Sequence, residues 1–325
     1  MVPVLEIKNL KIGLFDADGN FQRQILNGFD IDLYSGQKLA LVGESGCGKT
    51  ISALAIVNLL PTAKMKITEG SICFEGRDLT KAHEKTWPDI RGKKISIIFQ
   101  DPLSALNPLI TVGEQVREAL NSECGSINKT PIATTEVIRL FYEMGLPDPD
   151  RIYRQYPHQL SGGMCQRVGI AMALAASPGL LIADEPTTAL DVTVQSQILQ
   201  LLKKEIKTRK FSLLFITHNL RLVEGFCDRV AVIYAGQVVE EGKTLDVLTN
   251  PLHPYTETLI VSLLKTNKKT DNLKVNNGSD KTPNDVASGC SFATRCSKSN
   301  LDCFAQKPLL TLKNDGRKVR CFYPL

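Results

Sequence analysis

Residues 43 to 50 read Gly43-Glu44-Ser45-Gly46-Cys47-Gly48-Lys49-Thr50, glycines spaced ahead of a Lys-Thr pair. This is a pattern for triphosphate chemistry. Glycine lets backbone N–H groups turn toward an anion at close range, the lysine ammonium meets the β- and γ-phosphates, and the threonine hydroxyl is a hard oxygen ligand for Mg2+. Chance alone can produce such a string, but its flanks argue otherwise. The apolar run Lys38-Leu39-Ala40-Leu41-Val42 before it predicts a buried strand, and Ile51 to Leu60 after it predicts a helix. Phosphates are then expected on a helix N-terminus, and the chain is expected to bind ATP or GTP.

A second cluster, Ile182-Ala183-Asp184-Glu185-Pro186, closes an apolar run with two adjacent carboxylates. Asp184 suits Mg2+, usually through water, and Glu185 can orient and polarise an attacking water. The plain alternative is an acidic pair that caps the next segment; the phosphate loop upstream favours hydrolysis. Leu160-Ser161-Gly162-Gly163-Met164 precedes a helix expected over Cys165 to Ala176. Ser161 is a good N-cap, and Gly162 and Gly163 expose the first helical N–H groups, which makes a second anion site. Taken alone, this string is equally an ordinary helix start. One nucleotide rarely needs two phosphate-binding helix ends, so the economical expectation is two chains that give opposite halves to two shared sites.

Gln100 follows the run Ile95 to Phe99, and His218 follows Leu213 to Thr217. A lone Gln or His after a strand is more often structural. If these runs and Leu180 to Ala183 are parallel neighbours, however, Gln100 is expected near the metal and the lytic water. His218 is then expected to donate a hydrogen bond to the γ-phosphate.

The elements that must carry these residues are legible in outline. Residues 4 to 42 alternate apolar and polar positions, with turns at Asp18-Gly19-Asn20 and Ser35-Gly36, and predict antiparallel strands that Ser71 to Phe74 continue. From Asp101 to about Leu160 the pattern turns helical, with Val112 to Leu120 and Thr134 to Met144 showing apolar spacings of three and four, so a helical insert is expected. The three short apolar runs read as buried parallel strands with functional residues at their C-terminal ends. Lys265 to Gly289, rich in Asn, Lys, Asp, Ser and Thr, reads as a linker.

Composition bounds the rest. The chain has 325 residues, 43% hydrophobic and 22% charged, enough for a full nucleotide-binding domain plus a smaller unit. A net charge of +5 with scattered basic residues gives little reason to expect nucleic acid. The start Met1-Val2-Pro3-Val4-Leu5-Glu6-Ile7-Lys8 lacks a basic region followed by an apolar core, and no apolar stretch nears twenty residues, so the chain is not expected to span a membrane by itself. Of nine cysteines, Cys47, Cys73, Cys124, Cys165 and Cys227 are scattered, as small core residues usually are, and four cluster near the end.

In this order, the motifs resemble those of the ATP-binding subunits of ABC transporters, over residues 4 to about 250. By that resemblance residues 43 to 50 are Walker A, Gln100 the Q-loop, 160 to 164 the signature, 180 to 185 Walker B, Ala189-Leu190-Asp191 the D-loop and His218 the switch histidine. The signature carries Met164 where glutamine is commoner. Phe15 and Phe21 both stand where the family's adenine-stacking aromatic is expected, neither being a tyrosine, and Phe21 is the assignment made here. Thr50, Gln100 and Asp184 are implied as Mg2+ ligands. The implied fold is α/β: a P-loop NTPase domain of the ABC type over residues 1–250, with an antiparallel β layer and a helical subdomain at about 101–165. A family-specific segment and linker over 251–289 and a cysteine-bearing unit over 290–325 follow.

Phe99-Gln100-Asp101-Pro102-Leu103-Ser104-Ala105-Leu106-Asn107-Pro108 and His253-Pro254-Tyr255-Thr256 narrow the resemblance to the oligopeptide, dipeptide and nickel importers. There two related ATPase subunits serve two membrane permeases and an external solute-binding protein. The resemblance implies peptide import, with nickel or another small solute next, a paralogous partner ATPase, and a peripheral place on the cytoplasmic face of the cell membrane. A soluble ABC ATPase of DNA repair or translation usually carries two motif sets or a long coiled-coil insertion, and neither is visible. A P-loop kinase is disfavoured by Ser161-Gly162-Gly163. Cys290, Cys296, Cys303 and Cys321 are separated by five, six and seventeen residues, which fits a zinc ribbon or a ferredoxin poorly. Spacing leaves four thiolate ligands and four free thiols equally open. The family resemblance implies a [4Fe-4S] cluster, with zinc next, in a structural role.

Overall fold

A computed structural model describes residues 2–61, 64–123, 133–188, 190–265 and 288–325. Cys124, Ala189 and most of the expected linker lie outside the described residues. In chain order the strands are β1 (Leu5–Phe15), β2 (Phe21–Leu33), β3 (Lys38–Val42), β4 (Met65–Phe74), β5 (Arg77–Asp78), β6 (Ile95–Ile98), β7 (Leu180–Asp184) and β8 (Ser212–Thr217), followed by β9 (Arg229–Tyr234), β10 (Gln237–Lys243), β11 (Thr311–Leu312) and β12 (Lys318–Val319). They fall into two compact units, Met1–Thr80 with Thr217–Leu325, and Lys81–Ile216.

In the first unit β2, β1, β4 and β5 form an antiparallel sheet in that spatial order. The alternation of β1 slips by one: Leu5 and Ile7 are buried, then Leu10 and Ile12. The structure resolves the slip with a bulge between Ile7 and Leu10, where Asn9 takes φ 47°, so both halves of the strand keep their apolar side chains in the core. The strands β11, β12, β10, β9 and β3 run side by side in the same unit. Here one expectation needs correction. The pattern over residues 4–42 predicts antiparallel strands throughout, yet β3 pairs parallel with β9. Leu39, Ala40, Leu41 and Val42 are buried without alternation, which is how a strand covered on both faces reads.

The helix after the phosphate loop is Lys49–Ile56, shorter than the expected 51 to 60. Asn58 takes φ 52° and donates its N–H to the Ala55 carbonyl at 3.1 Å, a left-handed turn that ends the helix three residues before Pro61. Past β10, residues 251–265 carry a helix, Pro254–Lys265, which opens on a proline whose fixed φ and missing N–H suit a first turn. The cysteine tail then folds back, and its strand β12 pairs antiparallel with β10, Glu240 opposite Val319 and Glu241 opposite Lys318.

In the second unit β8, β7 and β6 lie side by side, and both neighbouring pairs are parallel. Every residue of β7 and β8 is buried, as the unbroken apolar runs predict. The expected helical insert contains Val112–Glu123 and Thr134–Glu143, with short turns of helix at Pro102–Ala105 and Pro149–Tyr153. The helix after the Ser-Gly-Gly string is Gly162–Leu174, beginning three residues before the expected start because Ser161 caps it. Among the described residues no helix is long and apolar enough to cross a membrane.

Candidate active site

The phosphate loop joins β3 to the helix Lys49–Ile56, with Gly43, Cys47, Gly48 and Lys49 buried and Ser45, Gly46 and Thr50 at the surface. Gly48 occupies the N-cap position at φ 105° and supplies no side-chain cap, so the first N–H groups of the helix are left for an anion. A Cβ at Gly43 would lie 2.3 Å from the Ile233 carbonyl oxygen, so only glycine lets the loop pass β9 this closely. Lys49 is folded over its own loop: its Nζ donates to the carbonyls of Gly43 and Glu44, both at 2.9 Å. A cleft beside the loop is lined by Glu44, Ser45, Gly46 and Cys47, by Arg23, Gln24 and Ile25 of β2, and by the Tyr234-Ala235-Gly236 turn after β9. Arg23, a cation lining the same cleft as the phosphate loop, has no sequence signal because it sits in a strand with no motif of its own. Phe21 starts β2, stands half-exposed and meets Phe15 edge-on with ring centroids 5.8 Å apart.

His218 follows β8 at an exposed position. The next residue, Asn219, accepts from the Arg221 N–H at 3.1 Å and caps a one-turn helix, which fixes the backbone on which the histidine rides.

In the second unit the C-terminal ends of the parallel strands bring three of the expected residues together. Asp184 ends β7 with its side chain buried. Glu185 follows in the left-handed region at φ 45°, held there by its N–H, which donates to the Ile216 carbonyl of β8 at 2.9 Å. A non-glycine residue in that region marks a conformation the surroundings enforce. Its Oε2 accepts from Gln100 Nε2 at 3.4 Å and from Thr188 Oγ1 at 2.8 Å. Thr188 had no sequence signal beyond lying near the acidic pair. Asp191 caps the long helix Val192–Arg209 by accepting from the Val194 N–H at 2.9 Å. Ser161 accepts from Met164 N–H at 3.3 Å, and Ser161 and Gly162 lie exposed at the start of their helix, open to an approaching molecule. The donors expected for Mg2+, the Thr50 hydroxyl, the Gln100 amide oxygen and the Asp184 carboxylate, are all hard oxygens, the set this ion prefers.

The tail adds a second cluster. Cys290, Cys296, Cys303 and Cys321 line one small cavity with His253, Phe292 and Tyr323. Burial pushes the Cys290 thiol up to about 11, and the three other tail sulfurs push it the same way. The implied cluster ligation finds no support here: among the described residues no group of three or more His, Cys, Asp or Glu side chains is placed to hold a metal ion. The four thiols share the lining of that cavity without forming such a group. From the same segment Arg295 reaches the phosphate loop. Its two terminal nitrogens meet the Glu44 carboxylate at 3.0 and 3.1 Å, and the Glu44 N–H donates to the Tyr255 hydroxyl at 3.1 Å. Neither link was visible in the sequence.

A phosphate loop between a parallel strand and a helix, a buried Asp followed by a Glu at a parallel strand end, and a capped Ser-Gly-Gly helix start together define an ATP-binding cassette of the P-loop class. Comparison with known proteins agrees and is more specific. Residues 26–188 match the family model described as ABC transporter, and residues 239–303 the one described as oligopeptide/dipeptide transporter, C-terminal region. The oligopeptide transport ATP-binding protein AppD of Bacillus subtilis is 43% identical over 322 residues, covering 99% of this chain and 97% of that protein. The dipeptide transport ATP-binding protein DppD of the same organism is 43% identical over 325 residues, 99% and 95%. A solved dimeric ATP-binding cassette bound to ADP and phosphate, in a post-hydrolysis state, superposes with a TM-score of 0.65 at 28% identity, covering 74% of this chain and 98% of that one. The chain belongs to the ABC transporter family, in the group of oligopeptide and dipeptide importer ATPases, and is an ATPase.

Proposed function

We propose that this chain hydrolyses ATP to drive peptide uptake through partner permeases. The observation that carries the reading is the likeness to oligopeptide and dipeptide transport ATP-binding proteins over essentially the whole chain, tail included. As a subunit of an ABC transporter the chain works with membrane permeases. The finer assignments are a paralogous partner ATPase, an external solute-binding protein serving the same transporter, and a place on the cytoplasmic face of the membrane.

In the mechanism we assign, the backbone of residues 43 to 48 and the Lys49 ammonium bind the triphosphate and offset its charge. Thr50, Gln100 and Asp184 would hold Mg2+, which when bound neutralises charge on the phosphate oxygens. Glu185, its oxygen fixed by Thr188 and Gln100, orients a water for in-line attack on the γ-phosphorus and takes up its proton as the bond to ADP breaks. His218 donates to a γ-phosphate oxygen. Phe21 is assigned to the adenine. Ser161, Gly162 and Gly163 of a partner ATPase face the phosphates bound by this chain, with Asp191 at the same junction, so that ATP draws two subunits together and hydrolysis parts them.

The permease contact is assigned to the segment after Gln100. Leu103, Leu109 and Ile110 stand exposed there, Leu109 at 83%. Buried Gln115 holds the segment in place: its Nε2 donates to the carbonyls of Asn107 and Ile110, both at 2.9 Å, and its Oε1 accepts from the Asn107 N–H at 2.9 Å. An apolar surface held rigid beside a catalytic glutamine suits a partner that must sense the nucleotide.

The division into an ATP-binding domain over 1–250, with a helical subdomain at 101–165, a connecting segment over 251–289 and a cysteine-bearing unit over 290–325 is part of the proposal. So is a [4Fe-4S] cluster on Cys290, Cys296, Cys303 and Cys321, supported by the convergence of the four thiols on one cavity and serving as a structural tie. Membranes isolated with the chain and its co-purifying permeases, reconstituted into vesicles with peptide and its solute-binding protein outside and ATP within reach of the subunit, are expected to accumulate peptide only with hydrolysable ATP. Hydrolysis without peptide accumulation, or accumulation of nickel instead, would redirect the assignment. Anaerobic purification is expected to yield about four iron atoms and as many acid-labile sulfides per chain; zinc or no metal would remove the cluster.

A further inference from the structure

Glu44 is an acid inside a loop built to hold a polyanion. Left alone, its carboxylate would repel the phosphates the neighbouring N–H groups attract. The structure places its partner far away in sequence: Arg295, 251 positions on, pairs with both carboxylate oxygens through two separate nitrogens. Arg295 is itself held in place. Its guanidinium lies 5.7 Å from the ring centroids of both Tyr234 and Phe292, and it donates to the Tyr234 hydroxyl at 3.4 Å. Those rings pack on one another and on Tyr255, with centroids 4.5 to 5.4 Å apart. Tyr255 in turn accepts from the Glu44 N–H, so the second residue of the phosphate loop is gripped at both backbone and side chain by residues outside every nucleotide motif.

We propose that Arg295, carried on the cysteine tail, is a positioning residue for nucleotide binding: it neutralises Glu44 and holds it aside from the phosphates. The proposal rests on the nucleotide-binding role of the loop assigned above. The pair is little better than half-buried, with side chains 38% and 42% exposed, so its direct contribution to folding is small. Its effect is on the sign of the charge next to the ligand, and that gives a distinctive signature: taking away the arginine harms ATP binding only while the glutamate remains.

The test is equilibrium calorimetry of ATP with Mg2+ on the full chain, alongside steady-state hydrolysis. Arg295→Ala is expected to weaken ATP binding about three- to tenfold and to raise KM by the same factor, leaving kcat within about twofold. Arg295→Lys, which keeps the charge but loses the fork, falls between. The double variant Arg295→Ala with Glu44→Ala is expected to recover affinity to within about twofold of the unaltered chain, because the repelling carboxylate has gone. If alanine unfolds the tail, Arg295→Met keeps the stem between the two rings and reports the same charge loss. An unaltered chain that binds ATP normally beside an indifferent Arg295→Ala overturns this proposal alone. So does a weakening that Glu44→Ala fails to relieve, since Arg295 would then act on the fold. An unaltered chain that binds no ATP overturns the nucleotide-binding reading, and this proposal with it.

Discussion

The phosphate loop gathers its chemistry from consecutive residues, Gly43 to Thr50, while the cysteine cavity gathers four thiols from Cys290 to Cys321, brought together only when the tail folds back. The first is shaped by its own backbone: a glycine at φ 105°, a helix end without a side-chain cap and a lysine folded over its own carbonyls. The second depends on neighbours, on Phe292 against Tyr234 and Tyr255, and on β12 against β10. A site made by a short stretch of backbone is fixed as soon as its flanking strand and helix form. A site made by distant side chains inherits whatever happens to the packing between them. Substitutions in the first kind are therefore expected to alter rates and affinities, and in the second kind to alter stability and only indirectly chemistry.

The largest expected effect belongs to the catalytic end of the nucleotide site. Glu185→Gln should lower kcat for ATP hydrolysis by about 10²- to 10⁴-fold while ATP binding by calorimetry stays within a fewfold. Hydrolysis at the normal rate would remove Glu185 as the base. Next comes Cys303→Ser in the assembled site: iron retained by the purified chain should fall to background and the melting temperature by several degrees. If iron survives at full stoichiometry, the cavity is not where it binds.

A smaller effect, in pH, sharpens the contrast. His253 is buried and accepts at Nδ1 from the Tyr255 N–H at 3.0 Å, and burial pushes its pKa from 6.5 down to about 4. The unfolded chain therefore takes up a proton near pH 6.5 that the folded chain refuses until about 4, so this histidine's contribution to stability is present above the higher value and lost as pH falls toward the lower. Between pH 7 and 5 the loss should be about 2 kcal/mol greater in the unaltered protein than in His253→Gln, measured by urea midpoints. Identical pH dependence in the two would show that the imidazole is not neutral in the fold. The Arg295 variants, with their three- to tenfold shift, complete the series.

What the sequence disclosed follows the same division. Gln100, Asp184, Glu185 and His218 were legible because each follows an unbroken apolar run, and the parallel pairings of β6, β7 and β8 brought the first three to one sheet end. Where one label was stretched over a whole segment, reading failed: β3 was grouped with the alternating strands before it, yet its unbroken apolar run marks a strand covered on both faces, and it pairs parallel with β9. His253-Pro254-Tyr255-Thr256 was visible as a family string, but its work was not. The buried Glu240 carboxylate accepts from the N–H groups of Leu252 and His253 at 2.8 and 2.9 Å, and that turns the chain so that Tyr255 meets Glu44. Arg295 and Thr188 left no trace because neither stands in a pattern; only the folded distance identifies them.

The pairing of β12 with β10 bears on solubility. Beyond Lys318 and Val319, the Arg320 N–H donates to the Val239 carbonyl at 2.8 Å and its Nε to that of Val238 at 2.9 Å, so the tail seals the hydrogen-bonding rim of an otherwise open β-strand. A chain cut short before the tail would leave that rim of buried valines bare, ready to recruit a strand from another molecule. Precipitation of such a fragment during expression would follow from the missing cover, whatever the health of the nucleotide site.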